Sequence, residues 1–242
     1  MTSLNIHLHE FDSQNKGGIE KLIELASLGP ITISLAPLHL REERYDKNFL
    51  SLIKGIVNQK GNSLGQRGDT NFCVRKYHKR LDKFHENRCP YSLRKNPLEV
   101  QFAFMERGKN NLVGTFDKEP EIYTPPNHFY DEDTIKAAKQ LDFTHFSVYD
   151  VLGIKPSYKK SMTFVPERSC HLPRLFDRLS KPYAIHTHLG HLIQHWNKFK
   201  ILELESLQAL KPNKSFFVKR VTNSLLKYTL KYWRDITNLV SD

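Results

Sequence analysis

The sequence predicts an α+β fold: an antiparallel or mixed sheet of about five strands, with flanking helices and a helical C-terminal segment. Three observations lead there. In the stretch 98–116, Val100, Phe102 and Phe104 alternate with Glu99, Gln101 and Ala103, the period of a half-buried strand. Gly108-Lys109-Asn110-Asn111 then supplies residues that tolerate a hairpin turn, and 112–116 reads as the returning strand. Elsewhere apolar residues recur at three- and four-residue steps, the mark of helices packed by one face.

Taken in order, Leu4, Ile6 and Leu8 alternate with Asn5, His7 and His9 as a first strand. A helix follows on Ile19, Leu22, Ile23 and Ala26 and stops at Gly29-Pro30. Residues 31–35 read as a second strand, and Asp46 can cap a helix whose face is Phe49, Leu50, Ile53, Ile56 and Val57. The run 61–68, rich in glycine and without periodicity, reads as a mobile loop. Residues 74–85 form a basic amphipathic helix, with Val74, Tyr77, Leu81 and Phe84 on one side and Arg75, Lys76, Lys79, Arg80 and Lys83 on the rest. After the hairpin, prolines at 120, 125 and 126 require irregular chain. Asp131 or Asp133 caps a helix to Leu141, and 143–151 resumes β character. A histidine-rich helix is expected over 187–202. A second amphipathic helix over 215–240 carries Arg220, Lys227, Lys231 and Arg234 opposite its apolar stripe. The expected division is an α+β nucleic-acid-binding domain at 1–205 and, at 206–242, a C-terminal helix packed on it or on a partner.

Charge points to the partner. The 242 residues hold 37 Lys plus Arg against 26 Asp plus Glu, a net +11, which favours a polyanion, nucleic acid first. The basic faces at 74–85 and 215–240, with Lys159, would hold phosphates, DNA being favoured over RNA. Cys73, Cys89 and Cys170 are odd in number and widely spaced, which fits a reducing, cytoplasmic setting. The N-terminus lacks the pattern of a signal peptide, and no apolar run reaches the ~20 residues of a membrane span. Oligomeric state is not encoded in any recognisable pattern.

Two groups of residues could carry chemistry. His188, His191 and His195 stand at three- and four-residue steps and could hold a divalent metal such as Mg, Mn or Zn, with Asp177, Glu203 or Glu205 completing the site. His7 and His9, two apart on a strand, would share a face. The second group is an order of elements: strand, Glu106-Arg107, turn, returning strand, proline loop, acidic helix, strand, then VYDVLGIKPSYKK at 148–160. That order resembles the replication initiators and related single-strand nicking enzymes that carry a His-hydrophobic-His pair. The resemblance implies a tyrosine nucleophile at Tyr158 with Lys159 or Lys160 beside it. Glu106, after the expected strand, reads as a strand-end charge or, more sharply, as a metal ligand or catalytic group. Where that family has its histidines this chain has Val113 and Thr115. The function expected on these grounds is DNA binding in replication or mobile-element biology. A metal-dependent nuclease using the histidines or Tyr158 is one alternative, and a non-catalytic RNA-binding or assembly protein another.

Overall fold

The computed structural model describes residues 3–8, 10–37, 40, 45–68, 93, 96–128, 130–149, 157–159, 162–169 and 184–209. Among the described residues there are eight strands: β1 (Ser3–Leu8), β2 (Thr32–Leu35), β3 (Ser63–Arg67), β4 (Ile122–Thr124), β5 (His145–Tyr149), β6 (Ser157–Lys159), β7 (Met162–Ser169) and β8 (Ala184–His188). The helices are α1 (Lys16–Leu28), α2 (Lys47–Val57), α3 (Leu98–Phe116), α4 (Glu132–Gln140), α5 (Leu189–Gln194) and α6 (Trp196–Phe199). The order β1-β2-β3-β4-β5-β7-β8 is joined throughout by parallel pairings, and β8 returns to β1. Seven parallel strands thus curl into a ring with helices outside, a TIM-like arrangement. The short β6 alone is antiparallel, hairpinned onto β7.

This corrects the expected antiparallel or mixed five-stranded sheet. The physical reason lies in how strand alternation reads in a barrel. Every residue of β1 is buried, Leu4, Ile6 and Leu8 against the helices and Ser3, Asn5 and His7 in the interior. A polar half that would face water in an open sheet here faces the lumen. Alternation alone does not separate the two cases.

The hairpin at 98–116 is also corrected: the segment is the single helix α3. Its buried residues Gln101, Met105, Gly108, Leu112 and Phe116 recur at four-, three-, four- and four-residue steps, a helical face hidden from sequence reading by its glutamine and glycine. Gly108 is there for close approach, not for a turn. A Cβ on it would lie 2.4 Å from Gln66 Nε2, which donates to the Met105 carbonyl at 3.0 Å and ties β3 to the helix. The run 61–68 is no loop either; it contains β3, and a Cβ on Gly65 would stand 2.1 Å from Ser34 Oγ inside the ring. The proline stretch includes β4 before a 3-10 turn at Pro126–His128.

Other elements formed as their patterns dictate. Asp46 caps α2 by accepting from Phe49 N at 3.0 Å, and Asp131 with Thr134 closes a capping box on α4. Core packing divides in two. Residues of β1, β2 and β3 pack with α1 and α2 and with Leu112 and Phe116 of α3, while Tyr123, Phe146 and Phe164 pack with α4 and Met105. Inside the ring Ile122, Val165 and Ala184 form a small apolar plug. Among the described residues no helix is long and apolar enough to cross a membrane.

Candidate metal centre

Above that plug the lumen turns polar towards the carboxyl ends of the strands, the end where barrels of this architecture place their chemistry. Asn5 comes from β1, Ser34 from β2, Arg67 from β3, Ser147 from β5, Glu167 from β7 and His186 from β8. His7 stands near the end of β1. His128 arrives on the turn after β4 at a positive φ of 56°, a conformation in which Asn, Asp and His are over-represented.

Glu167 is the hub, with 1% of its surface exposed. Asn5 Nδ2 donates to its Oε1 at 2.7 Å and Ser147 Oγ to its Oε2 at 2.7 Å. With its NH₂ given to the carboxylate, Asn5 turns Oδ1 to Ser34 Oγ, which donates to it at 2.8 Å. His128 Nδ1 lies 3.2 Å from Ser147 Oγ, and His7 Nε2 lies 3.8 Å from Glu167 Oε2. The rings of His7 and His186 stack at 5.1 Å, and those of His128 and His186 lie 4.9 Å apart.

Burial governs the protonation of Glu167, His128, His7 and Arg67. Desolvation pushes the Glu167 carboxyl up to about 7, against the opposing pull of the Ser147 and Asn5 hydrogen bonds and the Arg67 charge. The same burial, reinforced by Arg67, brings His128 down to about 3. His7 is held well below the usual imidazole range by burial first, then by Arg67 and the neighbouring histidines. Arg67 itself falls to about 10 through desolvation, opposed by Tyr45, Asp12 and Glu167. Imidazoles kept neutral beside one carboxylate are donors with lone pairs ready for a cation.

One donor atom each from His128, Glu167 and His186 falls within a span of 4.8 Å. Tetrahedral donors on one zinc-like ion, at ~2.0–2.2 Å each, lie ~3.3–3.6 Å apart, so the trio must close in by up to ~1.5 Å to share an ion. His7 Nε2, buried and without a hydrogen bond, adds a fourth nitrogen beside them. The residues fit a metal.

The residues singled out from sequence are placed as follows. His188 ends β8 and its Nδ1 lies 3.2 Å from the His7 carbonyl oxygen. His191 is on α5, its ring 5.8 Å from that of His188, and His195 caps the end of α5. The three do not share a helical face, since the helix begins only after His188. The trio that converges takes His186 from the same histidine run and adds Glu167 and His128, which sequence reading missed. Glu106 is exposed on α3. The backbone of Tyr158 lies opposite Thr163, and that of Lys159 opposite Met162. Tyr158 thus stands ~13 Å along β7 from Glu167. Lys160, Arg75, Lys76, Lys79, Arg80, Lys83, Arg220, Lys227, Lys231 and Arg234 lie outside the described residues, as does His9. A signal for Glu167 existed in Thr163, Val165 and Glu167 alternating with Met162 and Phe164, but Pro166 interrupts it. His128 follows Pro125-Pro126 directly after a strand, a turn-borne position typical of barrel chemistry.

No protein-family model matches the chain, and no curated protein matches it. Solved structures do. A CE4 family pseudoenzyme from Bacillus anthracis superposes with a TM-score of 0.55 at 11% identity, covering 87% of this chain and 64% of that one. A family 4 acetyl xylan esterase from Clostridium thermocellum, in complex with cobalt, gives 0.50 at 9% identity over 84% and 85%. Peptidoglycan deacetylase PdaC from Bacillus subtilis gives 0.50 at 9%, covering 96% of each chain. At these identities the likeness is one of fold.

That likeness overturns the resemblance to replication initiators, and with it the expectations of DNA binding, replication, mobile-element biology, a nuclease and an RNA-holding assembly protein. The geometry gives the reason. Val113 and Thr115 would have to sit on a returning strand, and they sit on α3. Phe102 and Phe104 pack half-buried on the same helix and Tyr123 is 0% exposed, so they form no stacking platform on a sheet. Among the described residues the sheet closes on itself and offers no open sheet face for a nucleic-acid strand. The net charge of +11 remains, without nucleic acid as its explanation.

Proposed function

We propose that the chain is a metal-dependent hydrolase that removes acyl groups from a carbohydrate. The observation that carries this reading is the Glu167, His128 and His186 donor set, with Glu167 and His186 buried and His128 half-buried, at the carboxyl mouth of the parallel ring. It is supported by the fold likeness to an acetyl xylan esterase solved with cobalt and to a peptidoglycan deacetylase. Two imidazoles and one carboxylate suit zinc-like ions better than magnesium. A divalent ion held there supplies Lewis acidity, polarising an acyl carbonyl and lowering the pKa of water.

The chain's own residues prepare that chemistry. Asn5 and Ser147 hold the Glu167 carboxylate at both oxygens, so its orientation is set before any ligand arrives. His7, neutral and buried, has its Nε2 3.8 Å from Glu167 Oε2, where it stands as a further nitrogen donor for the same ion. Arg67 places a fixed positive charge near the cluster, which favours negative charge developing on an acyl oxygen.

The test is acetate release from acetylated xylo-oligosaccharides and from N-acetylated chito-oligosaccharides by zinc- or cobalt-loaded protein. Release should be abolished by a chelator and by Glu167→Ala or His186→Ala. A wild type with bound metal that releases acetate from neither class would overturn the reading.

A further inference from the structure

We propose that an apolar seam on the outside of the ring, between α1 and the chain from α5 to Leu204, is the docking surface for this chain's own C-terminal segment, 215–240. Gly17, Lys21 and Leu28 stand on one ridge of α1, at steps of four and seven residues. A Cβ on Gly17 would lie 3.2 Å from Ile193 Cδ1 of α5, and the Lys21 ammonium stands 4.4 Å over the ring of Trp196 in α6. A Cβ on Gly29, next after Leu28, would lie 2.9 Å from Leu204. The chain after β8 thus follows α1 along its length, and the seam between them is not covered. Ile193 is 48% exposed, Leu28 54%, and Ile201, three residues before Leu204, 75%. Among the described residues, these are three of the five large apolar side chains that are exposed. Single exposed apolar residues are ordinary; three along one seam mark a surface made to be covered.

Where the described chain ends selects the occupant. Gln208 Nε2 donates to Ser63 Oγ at 3.0 Å, and Ser63 N donates to the carbonyl of Ile31, three residues past Leu28, at 3.0 Å. These links leave Ala209 at the amino end of β2, within ~20 Å of Leu28. The six steps from 209 to 215 reach ~20 Å when extended. From there Val218, Val221, Leu225, Tyr228 and Tyr232 recur at three- and four-residue steps, an apolar stripe that needs a packing partner to hold as a helix. Charge favours the same pairing. Residues 210–242 hold seven Lys and Arg against two Asp and Glu, whereas the described residues hold 15 against 17.

Amide hydrogen exchange on the full chain, at two protein concentrations, tests this. In the wild type, amides of 215–240 should exchange roughly 100-fold more slowly than free chain, equally at both concentrations. Leu28→Ser combined with Ile201→Ser changes only exposed positions away from the donor trio. It should bring 215–240 to the rate of free chain while β1 keeps its protection, which shows that the ring is still folded. Leu225→Ser combined with Tyr228→Ser should release the segment from the other side, again with β1 unchanged. A segment unprotected in the wild type, or one whose protection survives Leu28→Ser with Ile201→Ser, would overturn the proposal. Protection that grows with protein concentration would overturn it too, and would give the seam to a second copy of the chain.

Discussion

Glu167 costs the metal-free protein stability at neutral and higher pH. Its carboxyl titrates at about 7 in the fold against an ordinary 4.5, so the folded state holds the proton more tightly than the unfolded chain. The stability this gives is complete below about 4.5 and lost as pH rises through about 7, up to about 3 kcal/mol. Metal-free Glu167→Gln should therefore match the wild type near pH 4.5 and exceed it in denaturant resistance near pH 8.5. A difference that does not vary with pH would contradict the burial argument. His128, titrating at about 3, has the opposite sign: its contribution is present above its ordinary 6.5 and lost as pH falls towards 3. His128→Gln should accordingly narrow the loss of stability measured between pH 6.5 and 4. These three clustered residues could not be grouped from sequence, because residues 128, 167 and 186 are distant in the chain and only the parallel ring brings them together.

At the scale of elements, α3 is the most informative. Its true face spends two of five positions on Gln101 and Gly108, so the apolar pattern that remained visible, Val100, Phe102 and Phe104, had the period of a strand. Gln101 is not idle in the core; its Nε2 donates to the Asn96 carbonyl at 2.9 Å, and its Oε1 accepts from Thr134 Oγ1 at 2.7 Å, joining α3 to the cap of α4. Two glycines separate helix from hairpin by experiment. Gly114 is exposed on α3 with nothing within 4 Å of a built Cβ, so Gly114→Ala should stabilise by up to ~1 kcal/mol. Gly108→Ala should destabilise by ~1–3 kcal/mol despite the better helix former, because the methyl displaces Gln66 and meets Pro37. Equal effects from the two substitutions would contradict the packing described. By contrast α1, α2 and α4 were legible because each has an apolar stripe and a local start or stop signal in Asp46, Asp131 or Gly29-Pro30.

The molecule as a whole is a parallel ring whose polar contents sit inside. Individual strands could be recognised at β1, β2 and β5, but their parallel pairing could not, since alternation in Asn5, His7, Ser147 and their neighbours reads alike for a lumen and for solvent. Ring closure rests on the pairing of β5 with β7, from His145 opposite Thr163 to Tyr149 opposite Glu167. Amide hydrogen exchange should find β5 as well protected as β1, whereas an open sheet would leave it as a fast-exchanging edge. If this ring closes around a metal site, cobalt titration of the metal-free protein should show it in visible absorption. Bands should saturate at one equivalent and disappear in Glu167→Ala and His186→Ala; a wild type without such bands, or bands that survive both substitutions, would rule the site out.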